Sequence, residues 1–406
     1  MTSAAAPMPD RPSGEREIFL VAAEESGDRL GAALMTALRQ RSTGPLRFSG
    51  VGGREMTAAG LASLFPIDDF SIIGFAAIPR RLPRIVGHMV QTVRAVLAHR
   101  PHALVIIDSP AFTLRVARVV HWFDRSIPII DYVSPSVWAW HAGRARSMRR
   151  YIDHVLALLP FEPDVHRKLG GPPCSYVGHP LIGDVSKLRP NEGETRRRNA
   201  DPPVVLAMPG SRSSEVTRLA GVFGEALARV AGRVGPIEVV VPTVPHLLAQ
   251  VTQATSTWRI KPRVVVDQAD KLVALRTARA ALAKSGTTTL ELAVAGIPMV
   301  AAYKVSAVEA CVIRRLVRVP SYILANLVIG ENVVPELVQE DCTAGRLSDT
   351  LVPLIGDTPQ RQRQIAAFAK LDTIMEIGSR APAARAADIV LASLSGHRER
   401  DNRQEP

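Results

Sequence analysis

The chain has 406 residues, 47% hydrophobic and 22% charged, which is long for one domain and apolar enough to bury two cores. A formal net charge of +12 admits nucleic acid, an anionic membrane surface or phosphorylated substrates as partner classes. Three dispersed cysteines (Cys174, Cys311, Cys342) have no metal or redox spacing, and no run approaches the ~20 uncharged apolar residues of a span; a disulfide scaffold and a transmembrane protein are excluded.

Residues 1–16 lack an apolar core of signal-peptide length and read as a disordered leader. From there short apolar runs alternate with helical patterns. "EIFLVAA" precedes the helix-like "GDRLGAALMTALRQR", "LRFSGVGG" precedes "REMTAAGL", and "HALVIID" precedes "FTLRVARVVHWF". "IPIIDYV" precedes "AGRARSMRRY", and "HVLALLP" precedes "EPDVHRKLG". This alternation predicts a parallel sheet covered by helices on both faces, over residues 17–185. The polar stretch "SKLRPNEGETRRRNADPP" has linker composition. A second alternating set, "VVLAMPG", "IEVVVPT", "RVVVDQ", "ARAALAKSG" and "IPMVAAY", predicts a second doubly wound domain over 186–365. Residues 366–395 read as helices that pack back on the first domain or on a partner chain, and 396–406 as a polar tail.

In doubly wound sheets ligands bind at the carboxyl ends of strands, so the loops after the apolar runs are the candidates for chemistry. "AAEESGDRLGA" follows the first strand. Gly27 admits a tight turn or a close approach, and Ser26 or Asp28 suits a helix cap. It lacks G-x-G-x-x-G, which argues against a dinucleotide. In "VIIDSPAF", Asp108 sits directly after a buried-type strand. It is placed either to accept a proton or to cap the next helix. In "YVSPSVWAWH", Trp138 and Trp140 stand one residue apart. An extended strand or loop would put both indoles on one side, as a core wedge or a cleft wall.

The second domain offers two anion-type loops. In "VVLAMPGSRSSEV" the backbone N–H groups of Gly210 and Ser211 and the guanidinium of Arg212 suit a diphosphate. In "LAKSGTTTLELAVAGIP", Ser285, Gly286 and Thr287 open a helix, whose start favours anions, and Glu291 is placed to hold a ribose hydroxyl pair. There is no Walker-type motif, so nucleotide hydrolysis is not indicated.

These loops, together with "GVGGREM", "LPFEPDV", "VGHP" and "YILANLVIGENVVPELVQ", resemble the lipid-A-disaccharide synthase family over roughly residues 18–345. The resemblance implies two Rossmann-like domains of GT-B type with an interdomain cleft. It implies inverting transfer of 2,3-diacylglucosamine from a UDP donor to 2,3-diacylglucosamine 1-phosphate (lipid X), giving a β-1′,6-linked disaccharide phosphate and UDP. Asp108 matches the family's proposed base; Arg212, Ser285, Gly286, Thr287, Glu291 and Asn326 match the UDP side; Glu24, Ser26, Gly27 and Asp28 match the acceptor loop. Trp138 and Trp140 then read as a wall or support of the acceptor cleft. No metal and no other cofactor is implied. Ala23 and Ala111 depart from the family's usual glycine and second carboxylate, and the latter concentrates the base assignment on Asp108.

Arginine clusters now acquire a partner. Arg80 to Arg100 holds five arginines and Arg144 to Arg150 four, with no acid in either stretch. Ile72, Ile73, Phe75 and Ile78 beside Arg80, Arg81 and Arg84 make an apolar patch rimmed by cations. Such a patch suits an anionic membrane and acyl chains, which predicts a cytoplasmic protein held peripherally at the inner membrane. Rival readings are another UDP-N-acetylglucosamine transferase or epimerase of this shape, and a non-catalytic nucleotide-sugar sensor. Nucleic acid has only the net charge in its favour. The oligomeric state stays open, with a homodimer among the alternatives.

Overall fold

A computed structural model of the chain describes residues 15–67, 78–306, 309–310, 319–378 and 380–401. They divide into two units, residues 15–179 with 380–401, and residues 180–378.

The first unit holds, among the described residues, a seven-stranded parallel sheet. Its strands are β1 (Arg16–Ala22), β2 (Leu46–Val51), β3 (Ala62–Ser63), β4 (Ala103–Ile107), β5 (Ile129–Tyr132), β6 (His154–Ala157) and β7 (Cys174–Tyr176), in the order β3-β2-β1-β4-β5-β6-β7. The β1 run "IFLVA" is apolar at every position because both faces are covered. Ile18, Leu20 and Ala22 join one core with the helix Glu25–Arg41, while Phe19 and Val21 join the opposite core with the helix Thr113–Phe123. The last helix, Pro382–Asp401, returns to this unit. Ala386, Ala387, Val390 and Leu394 complete the first of those cores, and Asp388 pairs with Arg41 at 2.5 Å.

The second unit holds a six-stranded parallel sheet among its described residues. Its strands are β8 (Val204–Met208), β9 (Glu238–Pro242), β10 (Arg263–Val265), β11 (Ala280–Lys284), β12 (Met299–Tyr303) and β13 (Glu336–Val338), in the order β10-β9-β8-β11-β12-β13. In each sheet the order reverses once, between β1 and β4 and between β8 and β11. A crevice opens at such a switch point, at the carboxyl ends of the flanking strands.

The polar stretch after residue 185 is not a linker. It folds as the helices Val185–Leu188 and Glu192–Asn199. Asn191 and Glu194 form a reciprocal capping box that starts the second. Arg198 is buried, and its guanidinium donates to the carbonyls of Leu275, Arg276 and Ala295, at the ends of two helices of the second unit. An arginine that closes two helix C-termini reads in sequence like a solvated one.

Candidate active site

At the first switch point the loop after β1 meets the end of β4. Gly27 makes the meeting feasible, since a Cβ there would stand 3.2 Å from the Ile107 carbonyl oxygen and 3.3 Å from the Ala22 Cβ. Ser26, on the first turn of the helix Glu25–Arg41, donates its hydroxyl to Asp108 Oδ2 at 2.9 Å. Asp108 and Ser109 both lie in the left-handed region (φ 55° and 46°), an uncommon pairing for non-glycine residues. The turn is held from below. The buried Thr113 hydroxyl donates to the carbonyl oxygens of Asp108 (2.7 Å) and Ser109 (3.1 Å). Asp108 Oδ1 accepts the Ser109 N–H at 2.7 Å, so the carboxylate caps its own turn while Oδ2 faces the exposed Ser26. Glu24 is exposed and makes no capping bond.

Asp28 has a different job from its loop neighbours. It is buried, and its carboxylate accepts the N–H groups of Gly53 (2.7 Å), Glu55 (2.8 Å) and Met56 (3.0 Å). It caps the helix Arg54–Ala58 from a distance, because Gly53 at that helix's start has no side chain to do so. The expectation that Asp28 faces the acceptor gives way to a structural role.

The tryptophans are not side by side on an extended segment. Residues 136–140 turn, with the N–H groups of Ala139 and Trp140 both bonded to Ser136 O. Trp138 packs edge-on against Phe161 (5.6 Å) and donates Nε1–H to Glu162 Oε1 at 3.3 Å. Trp140 is 43% exposed and lies under the Arg144 guanidinium, 5.6 Å from the ring. One indole is a support and the other a surface. Beneath the turn lies a buried polar group that composition did not reveal. Glu162 accepts the Leu159 N–H at 2.9 Å, and the Ser134 hydroxyl meets His166 Nε2 at 2.9 Å. Burial pushes the Glu162 carboxyl up to about 7 and holds His166 below its ordinary value. Asp131 is raised well above the usual carboxylate range, first by burial and then by Asp108 and Glu162.

At the second switch point one of the two loop amides that the sequence offered to a diphosphate, that of Ser211, is held within the loop after β8. Glu215 Oε2 accepts the N–H groups of Ser211 (3.1 Å) and Arg212 (3.2 Å). Gly210 (φ 128°) is required there, since a Cβ would reach within 2.3 Å of the same Glu215 oxygen. Arg212 is the outward group of this loop, its side chain 76% exposed. Ser285 is buried and donates to the Tyr322 carbonyl at 2.8 Å, and Gly286 opens the helix Thr287–Val294. Glu291, on that helix, pairs with Lys271 at 2.9 Å. Asn326 is 1% exposed. Its Oδ1 accepts from Val333 and Val334 N–H, and its Nδ2 donates to Val334 O, so the amide at both ends locks its own segment. Sequence reading missed Glu215 and Lys284, which pair at 3.0 Å. The signal for Glu215 was its place at the third position of the helix Ser213–Val234, where a carboxylate reaches back to the preceding amides.

Of the patch residues, Ile72, Ile73 and Phe75 lie outside the described residues. Ile78, Arg80 and Arg81 start the helix Ile78–His99, and Arg84 is exposed on it. Val86 and Val90, one turn apart on that helix, are 44% and 39% exposed. Among the described residues no helix is long and apolar enough to cross a membrane, and no cluster of three or more His, Cys, Asp or Glu is arranged for a metal.

The sequence matches the family of lipid-A-disaccharide synthetases over residues 18–390. It is 56% identical to the lipid-A-disaccharide synthase of Nitrobacter winogradskyi, over 97% of this chain and 100% of that one. It is 57% identical to that of Bradyrhizobium diazoefficiens, over 94% and 97%. Among solved structures it is similar to the UDP-GlcNAc 2-epimerase of Neisseria meningitidis bound to UDP-GlcNAc, with a TM-score of 0.57 over 94% of this chain and 100% of that one. Identity there is 10%, so that likeness carries the fold alone. With a family match along almost its whole length, this chain belongs to the lipid-A-disaccharide synthase family, glycosyltransferases of GT-B fold.

Proposed function

We propose that this glycosyltransferase forms the lipid A disaccharide by inverting transfer from UDP-2,3-diacylglucosamine to 2,3-diacylglucosamine 1-phosphate, with Asp108 as the base. The observation that carries the base assignment is the Ser26–Asp108 bond at 2.9 Å on a left-handed turn at the carboxyl end of β4. In the step, the acceptor 6-hydroxyl gives its proton to Asp108 as its oxygen attacks C1 of the donor sugar. The bond from C1 to the diphosphate oxygen breaks, and its electron pair leaves with UDP. Base catalysis of this kind contributes roughly 10²–10⁴-fold. Arg212, Ser285, Gly286, Thr287 and Glu291 form the UDP side in this reading. Asn326 and Asp28 keep their segments in shape, and Trp140 with Arg144 offers an exposed aromatic and cation to the acceptor.

The test is disaccharide formation from UDP-2,3-diacylglucosamine and radiolabelled lipid X in detergent, with D108A alongside. Product from the wild type and a loss of about 10³-fold in a folded D108A support the reading. Equal product from both removes Asp108 from the chemistry, and turnover of UDP-N-acetylglucosamine alone favours the rival transferase or epimerase.

The enzyme works peripherally at the cytoplasmic face of the inner membrane in this reading, docked through residues 72–84. The exposed Val86 and Val90, which extend the apolar character along the helix from Ile78, support it. Co-sedimentation with anionic liposomes should fall when Ile72, Phe75 and Ile78 are made polar; unchanged binding refutes the docking surface.

A further inference from the structure

Lys284 is the last residue of β11, a strand that is otherwise Ala-Ala-Leu-Ala and buried. Its Nζ stands 3.0 Å from Glu215 Oε1 and 5.4 Å from the centroid of the Tyr303 ring. Glu215 belongs to the other side of the switch point, on the helix that follows β8. The same Oε1 also receives Arg212 Nη1 at 3.3 Å. Two cations therefore share one carboxylate where the Pro209–Arg212 loop meets the Ser285–Thr287 helix start.

Stability alone does not account for this arrangement. The Lys284 and Glu215 side chains are 18% and 10% exposed, and withdrawing two charges from water largely offsets their mutual attraction. An apolar pair of similar volume would hold β11 to the helix as well. What Lys284 and Arg212 supply on one carboxylate, and apolar residues cannot, is a net positive charge held in place beside the loops. The loop amides of Ser211 and Arg212 do not supply it, because Glu215 holds them.

Resting on the UDP-donor reading above, we propose that Lys284 is a further catalytic residue, its ε-ammonium contacting the donor diphosphate and balancing the charge that gathers there as the C1–O bond breaks. Glu215 aims it, and Arg212 approaches the same diphosphate from the solvent side. No proton passes. The electron pair of the broken bond stays on the diphosphate oxygen, and the ammonium acts as a placed charge in a partly dry site.

The test compares K284M, K284Q and K284R with wild type on the full chain. Dissociation constants for UDP and for uridine are measured, then kcat for disaccharide formation, with a melting curve for each variant. Charge-assisted bonds to phosphate predict that UDP affinity falls about 10-fold or more in K284M and K284Q while uridine affinity holds. Loss of one placed donor predicts a kcat about 10²-fold lower, and K284R recovers most of both. Parallel weakening of UDP and uridine marks a merely structural lysine and overturns the proposal, as does a K284M within about threefold of wild type. Failure of the reaction reading looks different. A wild type that binds UDP with Lys284-dependent preference over uridine but joins no lipid sugars overturns the transfer and with it the catalytic role. An active wild type with Lys284-independent UDP binding overturns the role of Lys284 alone.

Discussion

Replacing Asp28 by alanine separates a ligand from a brace. The Asp28 carboxylate is 2% exposed and accepts three backbone N–H groups, from Gly53, Glu55 and Met56. A hydrogen bond to a charged group contributes about 1.5–3 kcal/mol, so three sum to about 4–9 kcal/mol. Water can reach part of this site, since the Gly53 and Glu55 bonds are only partly buried, and the loss should fall at the low end, about 4 kcal/mol. The helix Arg54–Ala58 has five residues and nothing else at its start to replace the cap. Hydrogen exchange of residues 53–58 reads the effect locally, and a loss of about 4 kcal/mol corresponds to roughly 10³-fold less protection. D28N should lie between, keeping one acceptor oxygen and turning an NH₂ toward a donor. UDP affinity should be unchanged in both. Unchanged protection in a D28A protein that has lost its activity would refute the argument and return Asp28 to the substrate.

T113V removes the hydroxyl that holds the carbonyls of Asp108 and Ser109. It should lower kcat about 10-fold and stability by about 1–2 kcal/mol, with T113S restoring both; an unchanged kcat would mean the turn holds itself. Glu162 makes stability depend on pH. Its carboxyl is pushed from 4.5 up to about 7, so the folded chain holds a proton that the unfolded chain has released. Stability should therefore fall as pH rises through that window and level off above it, by about 3 kcal/mol relative to E162Q. Asp131 is raised in the same direction and partly by Glu162, so the difference between the two proteins includes the response of Asp131 to losing that charge. Parallel urea midpoints for the two proteins from pH 4.5 to 8 would refute this.

The two sheets and their switch points were legible because parallel strands buried on both faces leave unbroken apolar runs such as "EIFLVAA" and "HALVIID". The same pattern places Ser26, Asp108, Arg212 and Ser285 in loops at strand ends. What sequence concealed was which polar groups already have partners. Asp28 and Ser26 sit two residues apart in one loop, yet one faces a neighbouring helix start and the other Asp108. The Ser211 amide reads as available in sequence, yet Glu215 holds it together with the Arg212 amide. Spacing of two misled for Trp138 and Trp140 because it presumes an extended chain, and Pro135 with Ser136 begins a turn instead. Arg198 misled because its burial depends on carbonyls about 80 and 100 residues away, beyond the reach of local composition.

At each switch point a side-chain tie joins the segments at the ends of two paired strands, and the two ties differ in charge. Ser26–Asp108 joins a neutral donor to a carboxylate and leaves that site negative; Lys284–Glu215, with Arg212 added, joins two cations to one carboxylate and leaves that site positive. Opposite signs are what the proposed transfer calls for. A base must attract a proton on the acceptor's side, and charge must be received on the leaving group's side. The strands at each switch point stay paired to their ends while the chains that follow them part, so a side chain in that crevice without a fixed partner would sample several rotamers. A hydroxyl fixing one oxygen of Asp108 and a carboxylate fixing Lys284 remove that search in advance. Under the proposed roles of Asp108 and Lys284, binding energy then goes to the transition state rather than to ordering the groups that meet it.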